Sequence, residues 1–334
     1  MTPGDGAAPA VGTQAVTRLA YQGHEYDLRP GESVLAALAR HGVDLPSACR
    51  AGACHTCLLR AESGDPGEDG RRGLKPTLAA SGYFLACQAR PVTDLRAAVA
   101  GPDVITPARV ERRWWLGPRV LAVRVRPRRP VEFRPGQHVT LHRGNGIIRV
   151  YSIANRPGQA RRDGLEFHVR VYPGGQMSEW LAGAAPGTGV GLGVPAGHCF
   201  YLPGQPAAPL LLAGTGTGIA PLLAIAADAR AAGHRGPVTL LHGAAEPARL
   251  YLGERPPPGL AGAGIRWRAC VQSRGEDIAE AAADELAAQP DPAAARAYLC
   301  GGRGSVARTK RALFLGGMSL ASINADEFAP AAAS

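Results

Sequence analysis

Apolar and polar positions follow three different rhythms along the chain. From Val16 to Leu28 they alternate on both sides of a short polar break, which predicts a two-stranded hairpin. Pro30-Gly31 then turns the chain into a short helix, with Ser33 as N-cap and Gly42 just past its end. From Val104 to about Phe200 the alternation runs through short segments such as Val120-Leu-Ala-Val-Arg-Val and Leu165-Glu-Phe-His-Val-Arg-Val. That is the pattern of a small antiparallel barrel. From Pro209 onward apolar strand candidates, at residues 209–213, 238–242, 265–271 and 297–300, alternate with Ala-rich helical stretches. This βαβ series predicts a parallel sheet covered by helices. Between these regions, residues 64–73 read as a polar, Gly-rich loop and residues 100–103 as a linker; residues 1–15, rich in Ala, Gly and Pro, read as a disordered tail.

Composition narrows the class. At 334 residues the chain suits two or three domains. No run approaches the roughly 18 consecutive apolar residues of a membrane span, and no basic-then-apolar leader opens the chain, so no membrane association is expected and the expected compartment is the cytoplasm. Seven cysteines, four of them at ligand spacing, fit a reducing environment. The formal net charge of +10 falls almost wholly in residues 101–204. Their arginines are scattered along apparent strands without interleaved aromatics or a recognition helix, which argues against nucleic acid. An anionic cofactor and an acidic docking partner explain the charge better, and Arg-rich composition without a function is the plainer alternative.

Cys49, Cys54, Cys57 and Cys87 are spaced C-x4-C-x2-C with a distant fourth, the ligand spacing of a plant-type [2Fe-2S] centre. Three thiolates so close in sequence converge only if the backbone wraps tightly, and Gly52 with the small Ala51, Ala53 and Thr56 permits this. Backbone N–H groups of such a loop would bond the sulfurs and tune the potential. The competing readings are buried or disulfide-bonded cysteines and a zinc site, although zinc ribbons favour two C-x2-C knuckles and one is present. The hairpin–helix order around the motif is that of a β-grasp fold. Pro46-Ser-Ala-Cys49-Arg50 and Phe84-Leu-Ala-Cys87 resemble the plant-type ferredoxin family, and the resemblance covers residues 16–98.

Two further motifs lie downstream. Arg149-Val-Tyr151-Ser152 ends a predicted strand, and Gly175-Gln-Met177-Ser178 follows another and opens a helix at Glu179. A diphosphate needs a guanidinium and helix N-terminal N–H groups, which Arg149 and the Gly175–Ser178 turn would supply. An isoalloxazine needs a flat apolar face and a donor near its N5, suited to Tyr151 and Ser152. Each tetrapeptide alone is weak; together with Arg134-Pro-Gly-Gln137 upstream they resemble the ferredoxin-NADP reductase-like flavoproteins, in which these motifs bind FAD. Gly214-Thr215-Gly216-Thr217-Gly218-Ile-Ala-Pro221 follows a buried strand and opens a helix. It is neither the G-x-G-x-x-G fingerprint nor a Walker loop. Its exposed N–H groups still suit a dinucleotide, and in the resembled family the same octapeptide lines the nicotinamide site.

The resemblance implies further roles. Cys300-Gly301 matches a family position against the nicotinamide, with the departure that Gly302 stands where Pro is common. Glu327 and Phe328 match C-terminal residues beside the flavin. The resemblance thus implies catalytic roles for Ser152, Cys300 and Glu327. After the second strand of the nucleotide segment the chain reads Leu241-His-Gly-Ala-Ala-Glu246, where NADP-specific relatives place Ser and Arg. Glu246 would pair with ribose hydroxyls and repel a 2′-phosphate, so NADH is favoured over NADPH, with Arg249 as the counter-indication.

The expected architecture is a ferredoxin domain (16–98), an FAD-binding barrel (104–204) and an NAD(P)-binding α/β domain (205–332). NADH releases two electrons together, the cluster accepts one, and flavin exchanges in both modes. The ferredoxin-first order resembles reductase components of bacterial multicomponent oxygenases. It implies an oxidoreductase that passes electrons to a partner protein, with an oxygenase component as first choice; because the chain contains both redox partners, a monomer is expected. A reductase for a deoxysugar dehydratase or a redox-responsive binding module are the alternatives.

Overall fold

The computed structural model describes residues 16–257, 260 and 264–328. The tail expected at residues 1–15 and residues 329–332 of the third expected domain lie outside them. The chain divides into two units, one of Met1–Leu45 with Leu58–Ala100, the other of Pro46–Cys57 with Gly101–Ser334.

The first unit is a mixed five-stranded sheet. Strands β1 (Thr17–Tyr21) and β2 (His24–Leu28) form the expected hairpin, and helix α1 (Val34–Arg40) follows. Ser33 caps α1, its Oγ accepting from the Ala36 N–H at 3.2 Å, and Gly42 leaves the helix at φ 76°. Strand β3 (Leu58–Ser63), short helices α2 (Glu68–Arg71) and α3 (Pro76–Ala80), and strands β4 (Tyr83–Leu85) and β5 (Leu95–Val99) complete the unit. The sheet order is β2-β1-β5-β3-β4, with β1 and β5 parallel. Leu19, Leu59, Tyr83 and Phe84 of the sheet and Leu38 of α1 are fully buried, as a β-grasp arrangement requires. Residues 64–73 are not wholly loop, because α2 forms within them: Glu68 and Asp69 favour its N-terminus, and Gly70 packs where a Cβ would press on Ala89.

The second unit begins with an antiparallel sheet. It comprises β6 (Thr106–Gly117), β7 (Val120–Pro127), β8 (His138–Arg143), β9 (Ile147–Ser152), β10 (Leu165–Arg170) and β11 (Gly189–Leu192), in the order β10-β7-β6-β11-β8-β9. Helix α4 (Pro157–Asp163) joins β9 to β10. The sheet curls closed where the Ala154 N–H donates to the Glu166 carbonyl at 2.8 Å. Asn155 seals the seam, accepting from the Glu166 N–H and donating to the Gly164 carbonyl. Leu121, Val123 and Val125 alternate inward against Phe167 and Val169, while Met177 and Leu181 of helix α5 (Gln176–Gly183) pack into the same core.

The rest is a parallel sheet of order β14-β13-β12-β15-β16. Its strands are β12 (Leu210–Thr215), β13 (Val238–Ala244), β14 (Ile265–Val271), β15 (Arg296–Gly302) and β16 (Ile323–Phe328). The apolar run of β12 is buried on both faces. Leu210 and Leu212 pack against helix α6 (Ile219–Ala231), and Leu211 and Ala213 against α7 (Ile278–Ala287) and α8 (Arg303–Leu315). Four strands match the apolar runs; β16 is a fifth, so the strand carrying Cys300 is not the last. Because β12 has β13 on one side and β15 on the other, the crevice at their C-terminal ends is a topological switch point. No helix among the described residues is long and apolar enough to cross a membrane.

Candidate functional site

The cysteine loop has a shape that follows from three left-handed residues, Arg50 (φ 53°), Gly52 (φ 77°) and His55 (φ 56°). Such turns direct successive N–H groups inward. Those of Ala51, Ala53 and Cys54 donate to Cys49 Sγ at 3.3, 3.4 and 3.4 Å, and the Cys49 N–H points at Cys54 Sγ at 3.5 Å. Thr56 adds a hydroxyl, Oγ1 donating to Cys54 Sγ at 3.2 Å. A hydrogen bond with Cys54, against the cost of burial and with those N–H donors, holds the Cys49 thiol well below the ordinary range. A loop that gathers donors around sulfur fits thiolates carrying the charge of an iron–sulfur centre. Cys87 belongs to the first unit, where it follows β4 and its Sγ lies 3.5 Å from Gln88 Nε2. No group of three or more His, Cys, Asp or Glu side chains among the described residues is drawn together as one metal ion needs, so the ligand assignment rests on spacing and loop shape.

In the barrel, β9 carries Arg149, Tyr151 and Ser152 to the rim of a cavity of about 1420 Å³ in the second unit. Arg149 Nη1 donates to the Ile148 carbonyl at 2.8 Å, and burial pushes the Tyr151 phenol well above its usual value, so it stays neutral. Gly175, Met177 and Ser178 line the same cavity at the start of α5. Gly175 is required there because a Cβ would strike Ser178 Oγ and the Tyr172 carbonyl. Ser178 Oγ in turn accepts from the Tyr172 N–H at 3.3 Å, fixing the turn that aims the first N–H groups of α5.

At the switch point, Thr215, Gly216 and Thr217 also line the cavity. Gly216 has φ 54°, and a 3₁₀ turn over Gly216–Gly218 runs into α6, which begins at Ile219 with Pro221 in its first turn and not at its first position. Gly214 and Gly218 stand behind them. A Cβ on Gly218 would collide with the Cys300 carbonyl and Gly301 Cα, so the turn rests directly on the end of β15. Cys300 is buried at that contact, and neither it nor Gly301 is part of the cavity lining. Glu327 and Phe328 do line it, and Glu327 Oε2 pairs with Arg303 Nε at 3.2 Å. Glu246 is exposed and away from the lining, whereas Arg249 is on it.

Sequence reasoning missed three residues here. His138, on β8, is buried; its Nδ1 donates to Asp326 Oδ2 and its Nε2 to the Ala53 carbonyl, each at 3.2 Å. Both partners are pure acceptors, so both ring protons are used. Although burial opposes it, the Asp326 carboxylate raises the His138 pKa above its ordinary value. Its partners lie 188 and 85 residues away, and nothing in an alternating strand marks it. His168 and Tyr251 form the second feature, sharing a 2.8 Å hydrogen bond between β10 and the segment after β13. His168 Nε2 faces Glu166 Oε1 at 3.3 Å. Burial works against the Glu166 charge, but His168 and Arg124 keep its carboxyl below the usual range.

A 2Fe-2S iron-sulfur cluster binding domain matches residues 18–92, and an oxidoreductase FAD-binding domain matches residues 119–201. The chain is 37% identical over 253 residues to the reductase subunit of an aromatic O-demethylase from an Amycolatopsis species, covering 69% of this chain and 72% of that protein. It is 32% identical over 233 residues to the ferredoxin--NAD(P)(+) reductase component of a naphthalene 1,2-dioxygenase system from Pseudomonas putida, covering 67% and 70%. Among solved structures, an Amycolatopsis cytochrome P450 reductase superposes with a TM-score of 0.62 at 31% identity, over 94% of this chain and 99% of that one. The ferredoxin reductase of carbazole 1,9a-dioxygenase gives 0.61 at 25% identity, over 94% and 98%.

Proposed function

Because the chain belongs to the family of reductases that join a plant-type [2Fe-2S] ferredoxin domain to a ferredoxin-NADP reductase-like module, we propose that it carries electrons from NADH to the oxygenase component of a multicomponent system. The observation that supports this most directly is that the cysteine loop, the R-x-Y-S strand with the G-x-x-S turn, and the glycine turn after β12 all line one cavity. FAD bound there supplies exchange in single electrons and in pairs, linking a two-electron donor to a one-electron cluster.

The chain's own residues bind and orient. Arg149 and the first N–H groups of α5 hold the diphosphate, and Tyr151 offers a neutral ring face with the Ser152 hydroxyl beside it. Gly216 and its neighbours let the backbone approach the nicotinamide nucleotide, with Cys300 and Gly301 as the floor of that turn. Glu327, held by Arg303, and Phe328 close the flavin side. Cys49, Cys54, Cys57 and Cys87 ligate the cluster, within domains bounded at 16–98, 104–204 and 205–332. NADH is the proposed coenzyme, since Ala245-Glu246 stands directly after β13 where NADP-specific relatives place Ser and Arg, with Arg249 on the cavity lining as the counter-indication. The protein acts as a monomer in the cytoplasm.

The test separates the two halves of the path. Cys54→Ser should abolish NADH-driven reduction of cytochrome c while NADH–ferricyanide activity persists, because ferricyanide takes electrons from flavin directly. Both activities surviving with an unaltered cluster spectrum would refute the ligand assignment. Arg149→Ala should weaken FAD binding roughly tenfold to a hundredfold through loss of a charge-assisted contact, read by equilibrium dialysis. Unchanged retention would remove Arg149 from the site.

A further inference from the structure

Two cysteines outside the cluster motif meet in the core. Cys199, on the segment that leaves the barrel after β11, and Cys300, at the C-terminal end of β15, place their Sγ atoms 3.7 Å apart, although 101 residues separate them in sequence. Both are buried, at 3% and 1% exposure, in the apolar cluster under α6. Cys270, the remaining cysteine, packs in the cluster on the opposite face of the sheet. Both sulfurs are free thiols in this structure.

We infer that Cys199 and Cys300 are a peroxide-responsive dithiol whose oxidation to a disulfide arrests use of the nicotinamide nucleotide. A disulfide needs its sulfurs about 2.05 Å apart, so closure from 3.7 Å asks for a net approach of about 1.7 Å. The hydrogen bond to Cys199, reinforced by burial, keeps the Cys300 thiol protonated. Either sulfur can be the donor in this contact, and the attack is assigned to Cys199.

The chemistry balances with a hydroperoxide as oxidant, the product of dioxygen taking two electrons and two protons from a reduced flavin that has no protein acceptor. Cys199 sulfur attacks the peroxide, the O–O bond breaks, and one water leaves with Cys199 as sulfenic acid. The Cys300 thiol then displaces hydroxide from that sulfur, its proton leaving in a second water, and the S–S bond forms. Two thiols lose two electrons in all, and one hydrogen peroxide becomes two waters.

The consequence for turnover rests on reading the 214–218 turn as the nucleotide site; the disulfide itself does not. Gly218 packs on the Cys300 carbonyl and Gly301 Cα with no room for a methyl group. Drawing Cys300 toward Cys199 therefore shifts the floor of that turn. The device would slow NADH oxidation when electrons are leaking to dioxygen.

The test uses purified holoprotein treated with hydrogen peroxide. NADH–ferricyanide rate and non-reducing peptide maps are recorded before treatment, after it, and after dithiothreitol. The ferricyanide assay leaves cluster damage out of the readout. In wild type the rate should fall at least fivefold as a Cys199–Cys300 linked peptide appears, and dithiothreitol should reverse both. Cys199→Ser, with Cys199→Ala as a second variant should the first fail to fold, should give no linked peptide and keep its untreated rate. Absence of the linked peptide from treated wild type, its formation without a fall in rate, or an equal fall in the variants would overturn the proposal. An untreated wild type lacking NADH–ferricyanide activity would instead refute the reductase reading, and the peptide map would still decide the linkage.

Discussion

At the scale of single residues, the cysteine loop shows how a ligand motif differs from a tuned site. Cys49, Cys54 and Cys57 are legible from spacing, and Gly52 from the tightness that spacing demands. The hydroxyl of Thr56 is not: a small residue between two cysteines reads as space, and only the fold reveals Oγ1 donating to Cys54 Sγ at 3.2 Å. Such a bond favours the more negative, reduced cluster. Thr56→Val keeps the shape and removes the donor. With about 1 kcal/mol of differential hydrogen bonding, the cluster midpoint should become more negative by about 40 mV for one electron. A redox titration followed by EPR would measure it, and an unmoved midpoint would show that the hydroxyl does not tune the centre. His138 escapes sequence reading for a different reason: its acceptors, on Ala53 and Asp326, are brought to it by the fold alone.

At the scale of elements, strands with strong apolar periodicity were readable and elements held by context were not. Strands β12, β13 and β15 are largely apolar runs buried on both faces, and β14, at the sheet edge, carries its apolar residues between Arg266 and Arg268. Strand β16 reads Ile-Asn-Ala-Asp-Glu-Phe, and its burial alternates between buried or half-buried and exposed positions, so nothing local distinguishes it from a polar tail. It is a strand because β15 offers a free edge, pairing Cys300 with Asp326 and Gly301 with Glu327. Helix α2 likewise forms inside a Gly-rich stretch because Gly70 fits against Ala89. The turn from β12 into α6 depends on a similar absence. Gly218 has an ordinary helical backbone, so its need for glycine is purely steric, set by the Cys300 carbonyl. Gly218→Ala must push β15 and the turn apart. At a cost of about 1–3 kcal/mol, NADH-driven ferricyanide reduction should fall roughly tenfold with FAD content unchanged. A rate within twofold of wild type would show that the turn tolerates the displacement.

At the scale of the whole molecule, stability of the second unit should depend on acid through a buried histidine of the parallel sheet. His242 on β13 is fully buried between the edges of Tyr251 and Trp267, with ring centroids 5.5 and 5.6 Å away. Burial pushes its pKa down to about 4 from an ordinary 6.5. The unfolded chain thus takes up a proton near pH 6.5 that the folded chain refuses until about pH 4. Its contribution is complete above pH 6.5 and is lost as the pH falls toward 4, by up to roughly 3 kcal/mol. His242→Phe keeps the aromatic contacts and removes the titration, so urea midpoints should decline less between pH 6.5 and 4.5 in the variant. Identical pH profiles would assign the acid sensitivity elsewhere. The apolar series around this histidine was visible in sequence; that it would be sealed by Tyr251, on a segment without periodicity, was not.

Tyr251 also reaches His168 on the barrel, and His168 reaches Glu166 and through it Arg124. This polar seam makes the boundary near residue 205 a poor place to cut. A chimera that exchanged the nucleotide half for that of a relative would keep the His168 hydrogen bond only where the new half carries a hydroxyl at the position of Tyr251. Engineered exchange of coenzyme specificity in this protein is better done by grafting loops within the parallel sheet than by swapping the half that carries it.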